Sequence, residues 1–230
     1  MPVPAGRDCS GCSACAGVCP TGAITLKKGK QLVFKYDACI ACRACVDACA
    51  PGVLVMGPGI GGDTSRDALK RVVSIKKTAP DIPVEQHTDN PTIPGMIKIF
   101  AKSMHVREVD CGSCNACELE IAATGNPVYD AERFGIHIVA SPRHADVLFV
   151  TGPVTRQMEL ALRKTDAATP TPKLIVAVGA CACSGGLFGN TPVTGAGVDK
   201  FVGVDLYIPG CPPSPQTILN SILALRRGTS

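Results

Sequence analysis

Short apolar runs closed by glycine or polar residues recur through the second half of the chain. They are Gly135-Ile-His-Ile-Val-Ala140, Asp146-Val-Leu-Phe-Val-Thr-Gly152, Lys173-Leu-Ile-Val-Ala-Val-Gly179 and Val204-Asp-Leu-Tyr-Ile-Pro-Gly210. Runs of this kind suit strands buried on both faces of a parallel sheet. Residues 116–123, 155–164 and 215–226 lie between or after them and read as helices. Strands alternating with helices predict an α/β domain with an open parallel sheet. Ligands in such a sheet sit beyond the carboxyl ends of its strands.

The first part of the chain follows another pattern. Ile24-Thr-Leu26 and Leu32-Val-Phe34 read as short strands around a turn at Lys28-Gly29-Lys30, and Val53-Leu-Val-Met56 closes the unit. Residues 57 to about 95 form a composition break. Gly57-Pro-Gly-Ile-Gly-Gly62 satisfies G-x-G-x-x-G, yet it sits at a domain exit and outside any long βαβ unit. A dinucleotide site is therefore rejected in favour of a linker. Lys70-Arg71 and Lys76-Lys77 read as a solvated face, while Pro80, Pro83, Pro91 and Pro94 stiffen the approach to the next domain. The expected organisation is a small α+β module over 1–58, a linker over 59–103 and the α/β domain over 104–230.

Composition adds mainly exclusions. The 230 residues carry a net charge of +4, too modest and spread out to call for nucleic acid. Aromatics make up 4% and Trp is absent, so the small module has little side-chain core of its own. No apolar run approaches the roughly 20 residues that span a bilayer. The start, Met1-Pro-Val-Pro-Ala-Gly6, has no apolar signal core. The expectation is a cytoplasmic protein, peripheral to a membrane complex through its partners.

The cysteines change the picture most. Eight of the 14 lie in two copies of C-x2-C-x2-C-x3-C, Cys9-x2-Cys12-x2-Cys15-x3-Cys19-Pro20 and Cys39-x2-Cys42-x2-Cys45-x3-Cys49. This is the spacing that holds two cubane iron–sulfur clusters, with the fourth cysteine of each run reaching the other cluster. Cys9, Cys12, Cys15 and Cys49 are thus expected to hold one cluster, and Cys39, Cys42, Cys45 and Cys19 the other. Ala50 displaces the second proline to Pro51, which predicts a different turn and not a lost ligand. Disulfides would need an oxidising compartment, and structural zinc has no use for two interleaved quartets. The unit resembles the bacterial two-cluster ferredoxin over nearly its whole length.

Cys111, Cys114, Cys117, Cys181, Cys183 and Cys211 remain. Cys114 and Cys117 stand where a helix begins, and Cys181 and Cys211 follow strand ends. Four such thiolates can converge on a third cubane, although buried structural cysteines would fit the same positions. Gly112, Gly185 and Gly186 would let the backbone pass close by.

Four motifs occur in order: Asp110-Cys-Gly-Ser-Cys-Asn-Ala-Cys-Glu-Leu-Glu120, Ser141-Pro-Arg-His-Ala-Asp-Val-Leu148, Gly179-Ala-Cys-Ala-Cys-Ser-Gly-Gly186 and Val204-Asp-Leu-Tyr-Ile-Pro-Gly-Cys-Pro-Pro213. Over residues 104–227 they resemble the small subunit of energy-converting [NiFe] hydrogenases of the formate hydrogenlyase type. That family is homologous to the 20-kDa-type subunit of respiratory complex I. The resemblance implies a flavodoxin-like domain with one [4Fe-4S] cluster on Cys114, Cys117, Cys181 and Cys211. Cys114-x-x-Cys117 follows the hydrogenase form, where complex I proteins have adjacent cysteines. Ala116 departs mildly from a glycine common in the family. Cys111 and Cys183 are surplus and expected to pack.

Three [4Fe-4S] clusters would then relay electrons to or from the [NiFe] site of a partner large subunit. The donor or acceptor would be formate dehydrogenase, carbon monoxide dehydrogenase or a ferredoxin, and membrane subunits would complete the complex. The chain itself carries no catalytic residue in this reading. The alternative is the same relay in a quinone- or sulfur-reducing complex without nickel. A zinc-stabilised scaffold or binding module is the remote one. Glu118 reads as an interface or helix-start carboxylate, with proton movement as the other possibility. His144 reads as part of a turn before a strand, and His87, His105 and His137 show no ligand spacing.

Overall fold

The computed structural model describes residues 1–5, 9–27, 31–74, 100 and 102–227. The turn expected at Lys28-Gly29-Lys30 lies outside the described residues, as do Lys76, Lys77, Pro80, Pro83, His87, Pro91 and Pro94.

The N-terminal module is built as a doubled unit. It runs through β1 (Pro2–Pro4), α1 (Ala14–Gly17), β2 (Ile24–Lys27), β3 (Gln31–Lys35), α2 (Ala44–Asp47) and β4 (Leu54–Met56). β1 pairs antiparallel with β4, and β2 with β3. Leu32, Phe34, Tyr36 and Leu54 pack with Cys15 and Cys45 into its small core. The Tyr36 hydroxyl donates to the Pro2 carbonyl over 3.0 Å, so the buried phenol keeps a partner. The stretch read as a linker is partly sheet. β5 (Lys70–Ser74) pairs antiparallel with β3 along its length. The Lys70-Arg71 pair thus lies on an edge strand, where basic residues also discourage further strand addition.

The second part contains β6 (Met104–Asp110), α3 (Ala116–Ala123), β7 (Ile136–Ile138), β8 (Val147–Thr151), α4 (Arg156–Ala168), β9 (Leu174–Val178), α5 (Ala180–Ser184), β10 (Leu206–Ile208) and α6 (Pro215–Arg227). The strands form one sheet in the order β10-β9-β8-β6-β7, every pairing parallel. This is the flavodoxin-like order, with its switch point between β6 and β8. β8 and β9 are buried along their whole length. Val147 and Phe149 face the core under α3 and α6, while Leu148 and Val150 face the core under α4. That two-sided burial explains their uninterrupted apolar sequence.

β6 is the strand that the apolar runs do not announce. His105, Arg107 and Glu108 interrupt it and are only half buried, while Met104 and Val106 are fully buried. It nevertheless occupies an interior position between β8 and β7. Its carboxyl end leads into Cys111 and Cys114, those of β9 and β10 into Cys181 and Cys211.

The two parts are packed together. Asp63 and Tyr207 exchange backbone hydrogen bonds of 2.9 and 2.8 Å, so the chain after Gly62 continues the sheet beside β10. The Gly62 amide donates to Ser221 Oγ over 2.7 Å. The glycine-rich run is therefore a strap across the junction. Ile60 in it packs against both the module's core and the sheet's. Among the described residues, no helix is long and apolar enough to cross a membrane.

Candidate iron-sulfur sites

Two cavities in the N-terminal module are each lined by four thiols. One is lined by Cys9, Cys12, Cys15 and Cys49, together with Leu26, Leu32, Val53 and Leu54. The other is lined by Cys19, Cys39, Cys42 and Cys45, with Pro2, Ile24 and Ile40. Each cavity therefore takes three cysteines from one run and the fourth from the other. Four soft donors around an apolar-walled space suit a thiolate-bound cluster. Among the described residues, no three His, Cys, Asp or Glu side chains close on one point as a lone ion requires.

The loops are shaped by backbone turns. Ser13 (φ 64) and Arg43 (φ 70) are left-handed, each directly before the short helix that carries Cys15 or Cys45. Such a reversal points successive amides into a concavity, which favours an anionic group there. Backbone amides already approach the sulfurs: Gly11 N lies 3.4 Å from Cys9 Sγ and Val53 N 3.3 Å from Cys49 Sγ. At exposed Cys12, the Ala14 amide and then the Ser10 hydroxyl hold the thiol below its usual range. Burial, followed by the neighbouring Cys39, Cys19 and Cys42, pushes Cys45 up to about 11. Metal must displace protons from such thiols, so binding and folding are coupled.

The third group stands at the carboxyl edge of the parallel sheet. The Asp110 carboxylate accepts from the Gly112 and Ser113 amides over 2.8 and 2.7 Å and fixes the turn after β6. Asn115 (φ 67) is left-handed and α3 starts at Ala116, bringing Cys117 behind Cys114. Burial raises the Cys117 thiol strongly, and Glu118, Cys181, Cys211 and Cys114 add to it, which places these thiols in one neighbourhood. The backbone leaves room for them. A Cβ on Gly179 (φ +92) would lie 2.5 Å from Cys117 Sγ, and one on Gly186 3.2 Å from Cys181 Sγ. The residues present thus fit a thiolate-bound group at this edge. Cys114 and Cys211 are exposed, so the group opens toward the surface.

Cys111 and Cys183 are both fully buried. Cys183 Sγ lies 3.6 Å from the Ala177 and Ile208 carbonyls at the edge of the sheet. Cys111 packs with Val109, Val150 and Val154, and burial, then Asp110 and Glu108, push it up to about 12. Both Glu118 carboxylate oxygens are buried without a protein hydrogen-bond partner. Burial, then Glu118 and Asp110, raises the Glu108 carboxyl. His144 falls in the turn Pro142–His144 before β8. The pairing of β6 with β7 stacks His105 on His137 at 5.6 Å, while His105 Nδ1 contacts Asp146 Oδ2 at 3.1 Å. Their sequence spacing could not reveal a neighbourhood set by strand register.

Comparison with known proteins agrees with this organisation. Residues 114–225 match the family model described as NADH ubiquinone oxidoreductase, 20 Kd subunit. Residues 8–54 match a 4Fe-4S dicluster domain. The chain is 47% identical over 133 residues to a probable membrane-bound hydrogenase subunit of Pyrococcus furiosus, covering 57% of this chain and 80% of that protein. It is 50% identical over 124 residues to formate hydrogenlyase subunit 7 of Escherichia coli, covering 54% of this chain and 49% of that protein. It thus spans about half the length of the latter. A chain in the membrane-bound sulfane sulfur reductase, an archaeal respiratory membrane complex, superposes with a TM-score of 0.51 at 31% identity, over 59% of this chain and 75% of that one. The sequence and these likenesses are those of an iron–sulfur electron-transfer subunit of an oxidoreductase complex. The chain belongs to the family of the complex I 20-kDa and [NiFe]-hydrogenase small subunits, with a 4Fe-4S dicluster domain joined to it.

Proposed function

We propose that this chain holds three [4Fe-4S] clusters and serves a hydrogenase-type complex, linking an electron donor or acceptor protein to the [NiFe] centre of a partner large subunit. The single observation that carries the count of three is a repeated loop. Ser13, Arg43 and Asn115, with φ of 64, 70 and 67, occupy the same place in three C-x-x-C segments, each followed by Ala and Cys at a helix start. The third loop lies far from the ferredoxin repeat in sequence, yet it turns the backbone in the same way.

In this reading Cys9, Cys12, Cys15 and Cys49 hold one cluster, Cys19, Cys39, Cys42 and Cys45 the second, and Cys114, Cys117, Cys181 and Cys211 the third. When bound, such groups supply one-electron transfer at potentials set by hydrogen bonding, charge and burial. The chain's own residues supply that environment. Amides of Gly11 and Val53 donate toward ligand sulfurs. Leu26, Leu32, Val53 and Leu54 give the first site apolar walls. At the third site, exposed Cys114 and Cys211 stand at the surface, and exposed Leu187 and Phe188 follow Gly186. That combination of thiols and apolar side chains suits cover by a large subunit. The complex is read as membrane-associated, with this chain peripheral on its cytoplasmic side and formate dehydrogenase, carbon monoxide dehydrogenase or a ferredoxin as its electron partner.

A second reading, a nickel-free quinone- or sulfur-reducing complex, draws on the family description and on the likeness to the sulfane sulfur reductase chain. Purification with native partners, followed by iron, acid-labile sulfide and nickel analysis, separates the two. The hydrogenase reading expects about twelve irons and twelve sulfides per chain, the content of three cubanes, with nickel in the large subunit. The same iron and sulfide without nickel, in a preparation that keeps its large subunit, overturns it in favour of the second reading. About eight irons would remove the third cluster.

A further inference from the structure

We infer that Arg66 is a latch that holds the dicluster module against the second domain, fixing how the Cys39 quartet faces the Cys181 quartet. Its guanidinium spans the junction. Arg66 Nη2 and Nε lie 3.2 and 3.4 Å from Asp37 Oδ2, and Arg66 Nη1 lies 3.0 Å from Asp199 Oδ2. Asp37 stands in the turn Tyr36–Ala38, directly ahead of the Cys39 loop. Asp199 stands in the turn Val198–Lys200, whose fully buried Val198 shares a core with Ala182 and Cys183 of the helix that carries Cys181. Arg66 itself lies on the strap anchored by the Asp63–Tyr207 bridge.

The burial makes this pair of contacts matter. Asp37 is only 4% exposed, and Asp37 Oδ1 and Asp199 Oδ1 are buried with no protein hydrogen-bond partner. One guanidinium therefore serves two carboxylates, and a planar fork suits that task better than an ammonium. Without it, two acidic groups would face each other at the junction, Asp37 almost fully buried and Asp199 partly so. Uncompensated buried charge is far more costly than loss of an exposed ion pair. The expected response is relief by separation of the two parts, since the carboxylates belong to different ones. Arg66 touches no ligand sulfur and is a positioning residue.

The inference rests on the three-cluster reading for its electronic consequence, but not for the docking itself. The test uses the full chain with its clusters in place. It compares the parent protein, Arg66→Met, and Arg66→Met combined with Asp37→Asn and Asp199→Asn. Hydrogen exchange at the Asp63 and Tyr207 amides reads docking, and the magnetic interaction between reduced clusters reads their relative placement. In Arg66→Met, exchange at both amides should rise at least about tenfold. The interaction between the second and third clusters should be lost, while iron and sulfide per chain stay constant. The charge-neutral triple variant should restore both signals, which a mere packing role for Arg66 would not do. Unchanged exchange and unchanged magnetic interaction in Arg66→Met overturn the latch, as does failure of the triple variant to restore docking. Faster exchange in a protein whose parent shows no third cluster keeps the latch and overturns the three-cluster reading.

Discussion

Ser184 Oγ lies 2.9 Å from the Asp37 carbonyl oxygen and 3.2 Å from the Ala180 carbonyl, so one hydroxyl ties the Cys181 helix to the turn before Cys39. The contact joins residues 147 positions apart, across the two parts of the chain. It places the turn ahead of the second ferredoxin loop against the parallel-sheet domain. Ser184→Ala removes the donor and leaves the Asp37 carbonyl without it at the junction. A loss of about 1 kcal/mol in stability is expected, with all iron retained. Denaturant midpoints of the two proteins check this, and an unchanged midpoint would show that the bond contributes nothing net.

Gly179 carries the tightest demand at the third site. Its φ of +92 is one that an L side chain rarely adopts, and a Cβ there would overlap Cys117 Sγ at 2.5 Å. Gly179→Ala should therefore displace Cys117 and lower iron by about four atoms per chain, one cubane's worth. The ferredoxin pair should keep its absorbance and its redox signals. Full iron content in this variant would mean that Cys117 is not held where Gly179 meets it, and would remove it from the ligand set.

Much of this architecture is legible in the sequence because the relevant signals are local. The two C-x2-C-x2-C-x3-C runs state their own chemistry, and the two cavities gather the same interleaved quartets. β8 and β9 announce themselves because both faces are buried. What is missed depends on partners distant in sequence. β6 carries His105, Arg107 and Glu108, and only its neighbours β8 and β7 make it an interior strand. β1 contains two prolines and is a strand because it lies against β4. The basic pair Lys70-Arg71 belongs to β5 through β3. The glycine-rich run after Met56 looks like a free linker, yet the Gly62 amide meets Ser221 Oγ. Arg66 has no motif at all; two carboxylates from opposite sides of the junction give it a role.

Cys111 supplies a pH dependence whose sign can be worked out. Burial, then the Asp110 and Glu108 charges, lift its thiol from 9.0 to about 12. The unfolded chain releases this proton near 9.0, while the folded chain holds it to about 12. Across that window the folded state binds more protons, so stability falls as pH rises; below it nothing is lost. Tyr36 and Tyr207, lifted from 10.0 to about 12 chiefly by burial, add to the same alkaline decline. Cys111→Ala should make the decline shallower by one thiol, leaving the tyrosine contributions and that of the other fully buried thiol, Cys183, which burial also pushes up. Denaturant midpoints followed from neutral to alkaline pH measure the difference, and parallel curves for the two proteins would sink the assignment.

Cys181 and Cys183 are one residue apart, and their surroundings differ. Cys181 sits beside Gly186 and contributes to the charge environment of Cys117, together with Cys211 and Cys114. Cys183 is fully buried and directs its sulfur toward the Ala177 and Ile208 carbonyls, 3.6 Å away. A cluster has no space on that side, because Ala182 and Val198 share the same packed core. On the three-cluster reading, Cys183→Ser should therefore lose no cluster, with the shorter hydroxyl still able to reach a carbonyl. Cys183→Ala separates ligand loss from polarity, since it removes the sulfur without adding an oxygen. Cys211→Ser acts at an exposed thiol and should lower iron by about four atoms per chain while the ferredoxin pair stays intact. Iron counts and low-temperature magnetic spectra on the three variants give the answer. Loss of the third cluster in both Cys183 variants, with the fold preserved, would move that ligand from Cys181 to Cys183. Three intact clusters in Cys211→Ser would take Cys211 out of the set.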